Sequence, residues 1–215
     1  MIFASQQEGK VSARTRRGRP STITGRAVRL TATDRAALTD LARVNVMTES
    51  DLAWHYRDRQ DHGARALDRL VRGGQLTRLH WIQPGVGHTV VFAFADSAVA
   101  GAWGGTLAAT GRRCSVQHEV LVSRLYCWLG RPPDFRLPRA YSTADLSACG
   151  GVRPDAMYTG VDGQTVFVEA DGGQYTRSQV LHKLRRWAGR VQVWGQPQQA
   201  HCVIPTRPGI TVVRF

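Results

Sequence analysis

The C-terminal half is decided by the stretch RPDAMYTGVDGQTVFVEAD, residues 153–171. Two runs rich in β-favouring residues, 153–160 and 164–171, flank Val161-Asp162-Gly163. Asp-Gly between such runs is a strong hairpin signal, because glycine accepts the backbone of a tight turn. With the turn centred on Asp162, Asp155 stands opposite Glu169, and a two-residue Asp-Gly turn shifts the pairing by one. Either register leaves two carboxylates about 5 Å apart, where like charges destabilise a sheet. Asp171 follows on the face of Glu169 by the two-residue period. Acids placed in this way call for counter-charge. One source is a hard cation such as Mg²⁺ or Mn²⁺, which takes carboxylate oxygens as ligands. The other is a structural ion-pair cluster with Arg153, Lys183 or Arg185.

Working outward, the spacing predicts a helix over 177–188, with Gln179, Lys183 and Arg186 along one face and Val180, Leu184 and Trp187 along another. Thr176 and Gln179 have the spacing of a capping box. Lys183 is either a group that orients water or holds a phosphate, or an ordinary surface lysine. Upstream, 115–129 reads as an amphipathic helix with Val116, Val120, Leu121, Leu125 and Trp128 as its apolar members, and with His118 and Glu119 near its start. Residues 97–114, rich in Ala, Gly and Thr, read as a connection.

The region before it has a different pattern. Thr33-Asp34 suits the cap of a helix carrying Ala37, Leu38, Leu41 and Val44 inward. Thr48-Glu49-Ser50-Asp51 opens a short second helix to about Arg57. A third runs from about Asp61 to Arg72, with Ala64, Leu67, Leu70 and Val71 inward and Gly73-Gly74 as its stop. Leu76–Ile82 and Thr89–Phe94 then read as strands around Pro84-Gly85-Val86-Gly87. Three helices and a hairpin is the order of a winged helix, whose third helix enters a major groove. His62, Arg65, Arg69 and Arg72 recur at intervals of three, four and three, so they share one face of that helix. This face suits DNA contact, an ordinary solvated surface, or a protein-binding module.

Charge is unevenly placed in a chain of net charge +13. Residues 1–30 carry seven basic side chains and one acid, 31–109 carry eight of each, and 110–215 carry fourteen and seven. Basic ends around a neutral middle suit a polyanion touched at several places, above all nucleic acid. Residues 1–30 lack apolar periodicity and read as a flexible arm. Within it Arg16-Arg17-Gly18-Arg19-Pro20 has the pattern of an AT-hook core lying in a minor groove, or of a tail that binds phosphates without sequence preference. Cys114, Cys127, Cys149 and Cys202 form no Cys-x-x-Cys, which argues against a zinc site or a disulfide framework and for a reducing cytoplasm. No stretch reads as a signal peptide or a membrane span, so a cytoplasmic protein associated with nucleoid or plasmid is expected.

These residues carry a resemblance. An acid-bearing helix, Asp155 on one strand, Glu169-Ala170-Asp171 on the next and a polar helix after it resemble the PD-(D/E)xK nuclease fold. More narrowly, Arg153-Pro154-Asp155-Ala156, Val168-Glu169-Ala170-Asp171, Lys183-Leu184 and the upstream Leu67-Asp68-Arg69-Leu70-Val71-Arg72-Gly73 resemble the replication-relaxation family. That family joins a winged helix to such a domain and includes plasmid mobilisation relaxases without a catalytic tyrosine. The resemblance implies that Asp155 and Glu169 hold a divalent ion, with Asp171 and Glu119 as auxiliary acids and Lys183 in place of the motif lysine. The wider superfamily has its lysine two positions after the Glu, where this chain has Asp171. A lysine on the next helix can take that role; otherwise the fold is catalytically silent.

The expected fold class is therefore mixed α and β (α+β or α/β). It comprises an arm over 1–30, a winged helix-turn-helix over 31–96, a connection over 97–114 and a restriction-endonuclease-like domain over 115–215. The expected activity is Mg²⁺-dependent, site-specific DNA nicking in plasmid replication or mobilisation. Double-stranded DNA and relaxosome or replication proteins are the expected partners, and a homodimer is compatible. The alternative is a silent DNA-binding regulator or relaxosome accessory. An RNA-binding factor and a tyrosine nucleophile at Tyr158 or Tyr175 are weaker readings.

Overall fold

The first helix, α1 (Ala32–Val44), begins where its capping box places it. The Thr31 hydroxyl accepts a hydrogen bond from Asp34 N at 3.1 Å, and Asp34 Oδ2 accepts one from Thr31 N at 2.8 Å. The cap is thus Thr31 rather than the expected Thr33, and Asp34 is the acid of the box. Ala37, Leu38, Leu41 and Val44 are all buried. The computed structural model describes residues 28–57, 62–83, 87–108, 113–198, 200, 202–205 and 207–215.

Asn45 (φ 69°) ends α1 in the left-handed region that Asn tolerates, and β1 (Val46–Thr48) follows at once. Three residues are too few to show a period, and the sequence pattern does not predict this strand. Thr48 caps α2 (Glu49–Ala53), which runs on into a 3-10 turn over Trp54–Tyr56. Then come α3 (His62–Arg72) and the hairpin of β2 (Leu76–Gln83) and β3 (Gly87–Phe94), paired from Leu76↔Phe94 to Gln83↔Gly87. The sheet order is β1-β3-β2, all antiparallel. On α3, Leu67 and Leu70 are buried as expected, but Ala64 is exposed and Ala66 is buried in its place. The segment expected as a connection contains α4 (Ser97–Ala102), capped by Asp96.

The second half runs α5 (Arg113–Trp128), α6 (Thr143–Ala148), β4 (Ala156–Thr159), β5 (Thr165–Ala170), α7 (Arg177–Arg186), β6 (Val191–Gln196) and β7 (Ile210–Arg214). Its sheet order is β4-β5-β6-β7, antiparallel at β4–β5 and parallel at the other two joins. The chain is thus a mixed α and β protein, as expected. The pairing Ala156↔Val168 through Thr159↔Thr165 is symmetric about Asp162. Gly163 (φ 78°) supplies the left-handed residue of the 160–164 loop.

Strand parity sorts this sheet into two faces. Val166, Val168 and Ala170 belong to the core cluster shared with Leu121, Leu125 and Tyr126 of α5. Met157, Phe167 and Trp194 join Val180 and Trp187 of the α7 side. Helix α5 lies close enough that a Cβ on Gly195 would come within 2.8 Å of Leu125 Cδ1, so only glycine fits β6 there. Trp128, expected among the apolar members of α5, is 54% exposed.

The two halves share one core. A single cluster runs from Ala37, Leu41 and Phe92 through Leu125 and Phe135 to Val168 and Val213. Each such large side chain contributes roughly 1.5–3 kcal/mol by leaving water. A polar joint adds direction: Asp40 of α1 accepts from Tyr126 Oη at 2.7 Å and Arg131 Nη1 at 2.8 Å, and His55 Nε2 lies 3.0 Å away. Burial would raise the Asp40 pKa, but these bonds outweigh it and hold the carboxyl below its usual range.

Candidate functional site

Glu169 has the parity of Phe167, which directs it to the face that α7 covers. Its cross-strand neighbour on β6 is Trp194, and extending the β4–β5 register by one residue sets Asp155 opposite it. Both Glu169 and Trp194 are fully buried. From α7, Lys183 Nζ reaches Glu169 Oε1 as an ion pair and stands 3.0 Å from Tyr175 Oη. Tyr175 Oη also donates to Glu169 Oε1, at 2.7 Å. Glu169 Oε2 is buried with no hydrogen-bond partner among the described residues.

Asp155 is held differently. Its Oδ2 accepts from Ala170 N at 2.8 Å and lies 2.9 Å from Nε2 of His118, one turn into α5. Burial alone would raise its pKa; the bond and charge of His118, then the charge of Lys183, bring it below the usual carboxylate range. For His118, burial would lower the pKa, but the bond to Asp155 and the charges of Asp155, Glu169 and Glu119 raise it. Glu169 is pushed up, first by burial and then by the Asp155 charge, against the pull of Lys183 and Tyr175. The environment thus drives two neighbouring carboxyls in opposite directions.

Asp171 is not brought into this pair. Its backbone N still donates to Gly195 O and its side chain meets Gln196, which has the parity of Trp194, so it keeps the face of Glu169 while its oxygens are engaged elsewhere. Its Oδ1 accepts from Gly173 N at 2.9 Å and Tyr175 N at 3.3 Å, and its Oδ2 accepts from Gln196 Nε2 at 2.6 Å. Asp171 and Gln196 thereby shape the loop that delivers Tyr175 to Glu169. Gln179 is engaged in the capping box with Thr176 and does not share the site with Lys183.

Glu119 lines a cleft of about 220 Å³ with His118, Asp155, Asn45 and Arg139, between α1 and the second sheet. Among the described residues no three His, Cys, Asp or Glu side chains are grouped to hold a metal ion. Mg²⁺ needs fewer, since it commonly binds one or two carboxylates and completes its shell with water and substrate phosphates. Asp155 and Glu169, adjacent and with Glu169 Oε2 unpartnered, fit that requirement.

The basic residues of α3 have separate fates. Arg69 Nη2 lies 2.6 Å from both carboxylate oxygens of the fully buried Asp34, which also accepts from Tyr56 Oη at 2.8 Å. Arg69 therefore ties α3 to α1. Burial would raise the Asp34 pKa, but the bonds from Thr31 and Tyr56 and the charge of Arg69 lower it. Arg65 and Arg72 are exposed; Asp68 pairs with Arg78 of β2, while Arg72 Nε donates to the Asp68 carbonyl at 3.4 Å. Arg16, Arg17 and Arg19 of the arm, and the side chain of His62, lie outside the described residues.

Two participants were not assigned roles from the sequence: His118 as the partner of Asp155, and Gln196 as the partner of Asp171. The Asp155 pairing joins positions 37 residues apart, and no local spacing signals it. Among the described residues no helix is long and apolar enough to cross a membrane. Comparison of the chain with protein-family models, curated proteins and solved structures finds no match.

Proposed function

We propose that the chain binds duplex DNA and cleaves a phosphodiester at Asp155, Glu169 and Lys183, in the replication or mobilisation of a mobile element. One observation carries this reading: two adjacent carboxyls, one with a buried unpartnered oxygen, lie beside a lysine. Asp155 and Glu169 would hold Mg²⁺ or Mn²⁺, which when bound supplies a Lewis acid for a phosphate oxygen. Lys183, ion-paired with Glu169, is placed to attract a second phosphate oxygen. His118 orients Asp155, and Tyr175 fixes Glu169. The buried Trp194 keeps one side of the pair dry, which strengthens each charge–charge contact. The helix–hairpin order of the first half, with Arg65 and Arg72 exposed on α3, supports a winged helix placing that face on DNA.

A second reading, a DNA-binding regulator without chemistry, is favoured by the charge balance. Lys183 and His118 already give each carboxylate a cationic partner. Nicking of supercoiled plasmid separates the two. Open circles that require both Mg²⁺ or Mn²⁺ and Glu169, and that disappear with EDTA or in Glu169→Ala, are expected of the nuclease. Tight binding of a plasmid carrying the cognate origin, without a nick under either metal, would leave the regulator.

A further inference from the structure

Beyond the acid pair, charge is one-sided over residues 172–215, which contain seven basic side chains and no acid. Helix α7 concentrates this charge on its outer surface. At 100° per residue, His182, Arg185 and Arg186 fall opposite Val180, Leu184 and Trp187. All three are exposed, while Val180 and Trp187 are buried. The helix ends in a turn that brings in Arg190, also exposed. Trp187 Nε1 donates to Val152 O at 2.9 Å, which ties this end of α7 to the chain entering β4. Exposed Arg153 therefore lies nearby, and Arg153 and Arg190 both bear on the Cys149 thiol through their charge. Among the described residues none of these four arginines forms an ion pair, whereas Arg69, Arg78, Arg131 and Arg136 each have an acid partner. Like charges left facing one another in this way repel unless an anion joins them.

We infer that the outer face of α7, with Arg153 and Arg190 at its end, is a second phosphate-binding ridge that holds the DNA backbone beside the Asp155–Glu169 pair. This inference rests on the DNA-binding reading, but not on cleavage. The ten-residue helix is about 15 Å long, the axial reach of roughly four phosphates of one strand. Its exposed face carries no large apolar side chain to enter a lipid layer, since Val180 and Trp187 point into the core. Lys183, on the side of the same helix nearer the sheet, reaches Glu169, so a strand held by the ridge passes about one helix diameter (roughly 10 Å) from the acids.

The test measures duplex affinity against NaCl concentration, using full-length protein carrying Glu169→Gln so that no strand is cut. Arg185→Gln/Arg186→Gln/Arg190→Gln is expected to reduce the slope of log K against log[salt] by about 2.7, since each phosphate contact contributes about 0.9. Arg65→Gln/Arg72→Gln is expected to reduce it separately and additively. A triple variant with an unchanged melting temperature and an unchanged slope overturns the ridge and leaves DNA binding through α3 intact. So does a triple variant that loses only its binding to phosphatidylserine vesicles. Wild-type protein that binds no duplex overturns both the ridge and the function it rests on. A reduced slope, beside a wild-type chain that never nicks plasmid, keeps the ridge and removes the nuclease.

Discussion

Replacing Lys183 with Met removes the cation from Glu169 while keeping most of the side-chain volume. The Glu169 side chain is 1% exposed and that of Lys183 18%, so the carboxylate is left without its ion pair in a nearly dry setting. Removing one partner of a buried pair costs about 3–5 kcal/mol. Tyr175 still donates to Glu169 Oε1, which places the expected loss near the low end, at about 3 kcal/mol. For a chain of this size that is a fall in Tm of roughly 6–12 °C. The loss depends on pH with a definite sign. Lys183 lowers the Glu169 pKa against burial and Asp155, so Lys183→Met raises it further. A carboxyl with a raised folded-state pKa gives its full stability at low pH and loses it as pH rises through that value. With Lys183 present the Glu169 pKa already stands at about 8, so wild type and variant lose stability in parallel below it. Urea unfolding at about pH 6 should therefore show a smaller deficit than at about pH 9.5. The double variant Glu169→Gln/Lys183→Met should recover most of the loss, because no buried charge remains. Equal deficits at both pH values, or a double variant as unstable as the single one, would refute this account of the pair.

Two further outcomes follow from the fold. Asp34→Asn should cost about 2–4 kcal/mol near neutral pH by weakening the bonds from Thr31, Tyr56 and Arg69. Because the Asp34 carboxyl is held below its usual range, that stability is present above the ordinary Asp range and lost on acidification. Urea midpoints of wild type and variant should accordingly converge at low pH, and curves that stay parallel would count against the network. Gly195→Ala should lower stability by about 1–3 kcal/mol through the clash with Leu125. Calorimetry showing no change in Tm would mean that α5 lies farther from β6 than described.

How much of this was legible depended on whether a local period governed the residue. The symmetry about Asp162 survives in the register because strand parity is set by neighbours alone. The same parity keeps Asp171 on the face of Glu169, but its oxygens are taken by Gly173, Tyr175 and Gln196 rather than by the acid pair, which no period reveals. Arg69 falls on the polar stripe of α3 by spacing, yet a buried carboxylate 35 positions earlier claims it. Strands β6 and β7 went unread: Gln and Gly interrupt β6, β7 is only five residues long, and their pairing is parallel and long-range. The capping box at Thr176 was visible, since it depends on residues three apart, whereas the cap of α1 lies at Thr31, two positions before the expected Thr33.

The continuous core has a geometric corollary. Because Leu41, Leu125 and Val168 belong to one packed cluster and Asp40 is clasped by Tyr126 and Arg131, α3 cannot swing independently of β5. Such a body behaves as a ruler. If α3 grips a sequence and cleavage takes place at Glu169, the bond brought there lies a constant number of base pairs away, and lengthening the DNA between the two positions would move the cut relative to its own sequence without changing that offset.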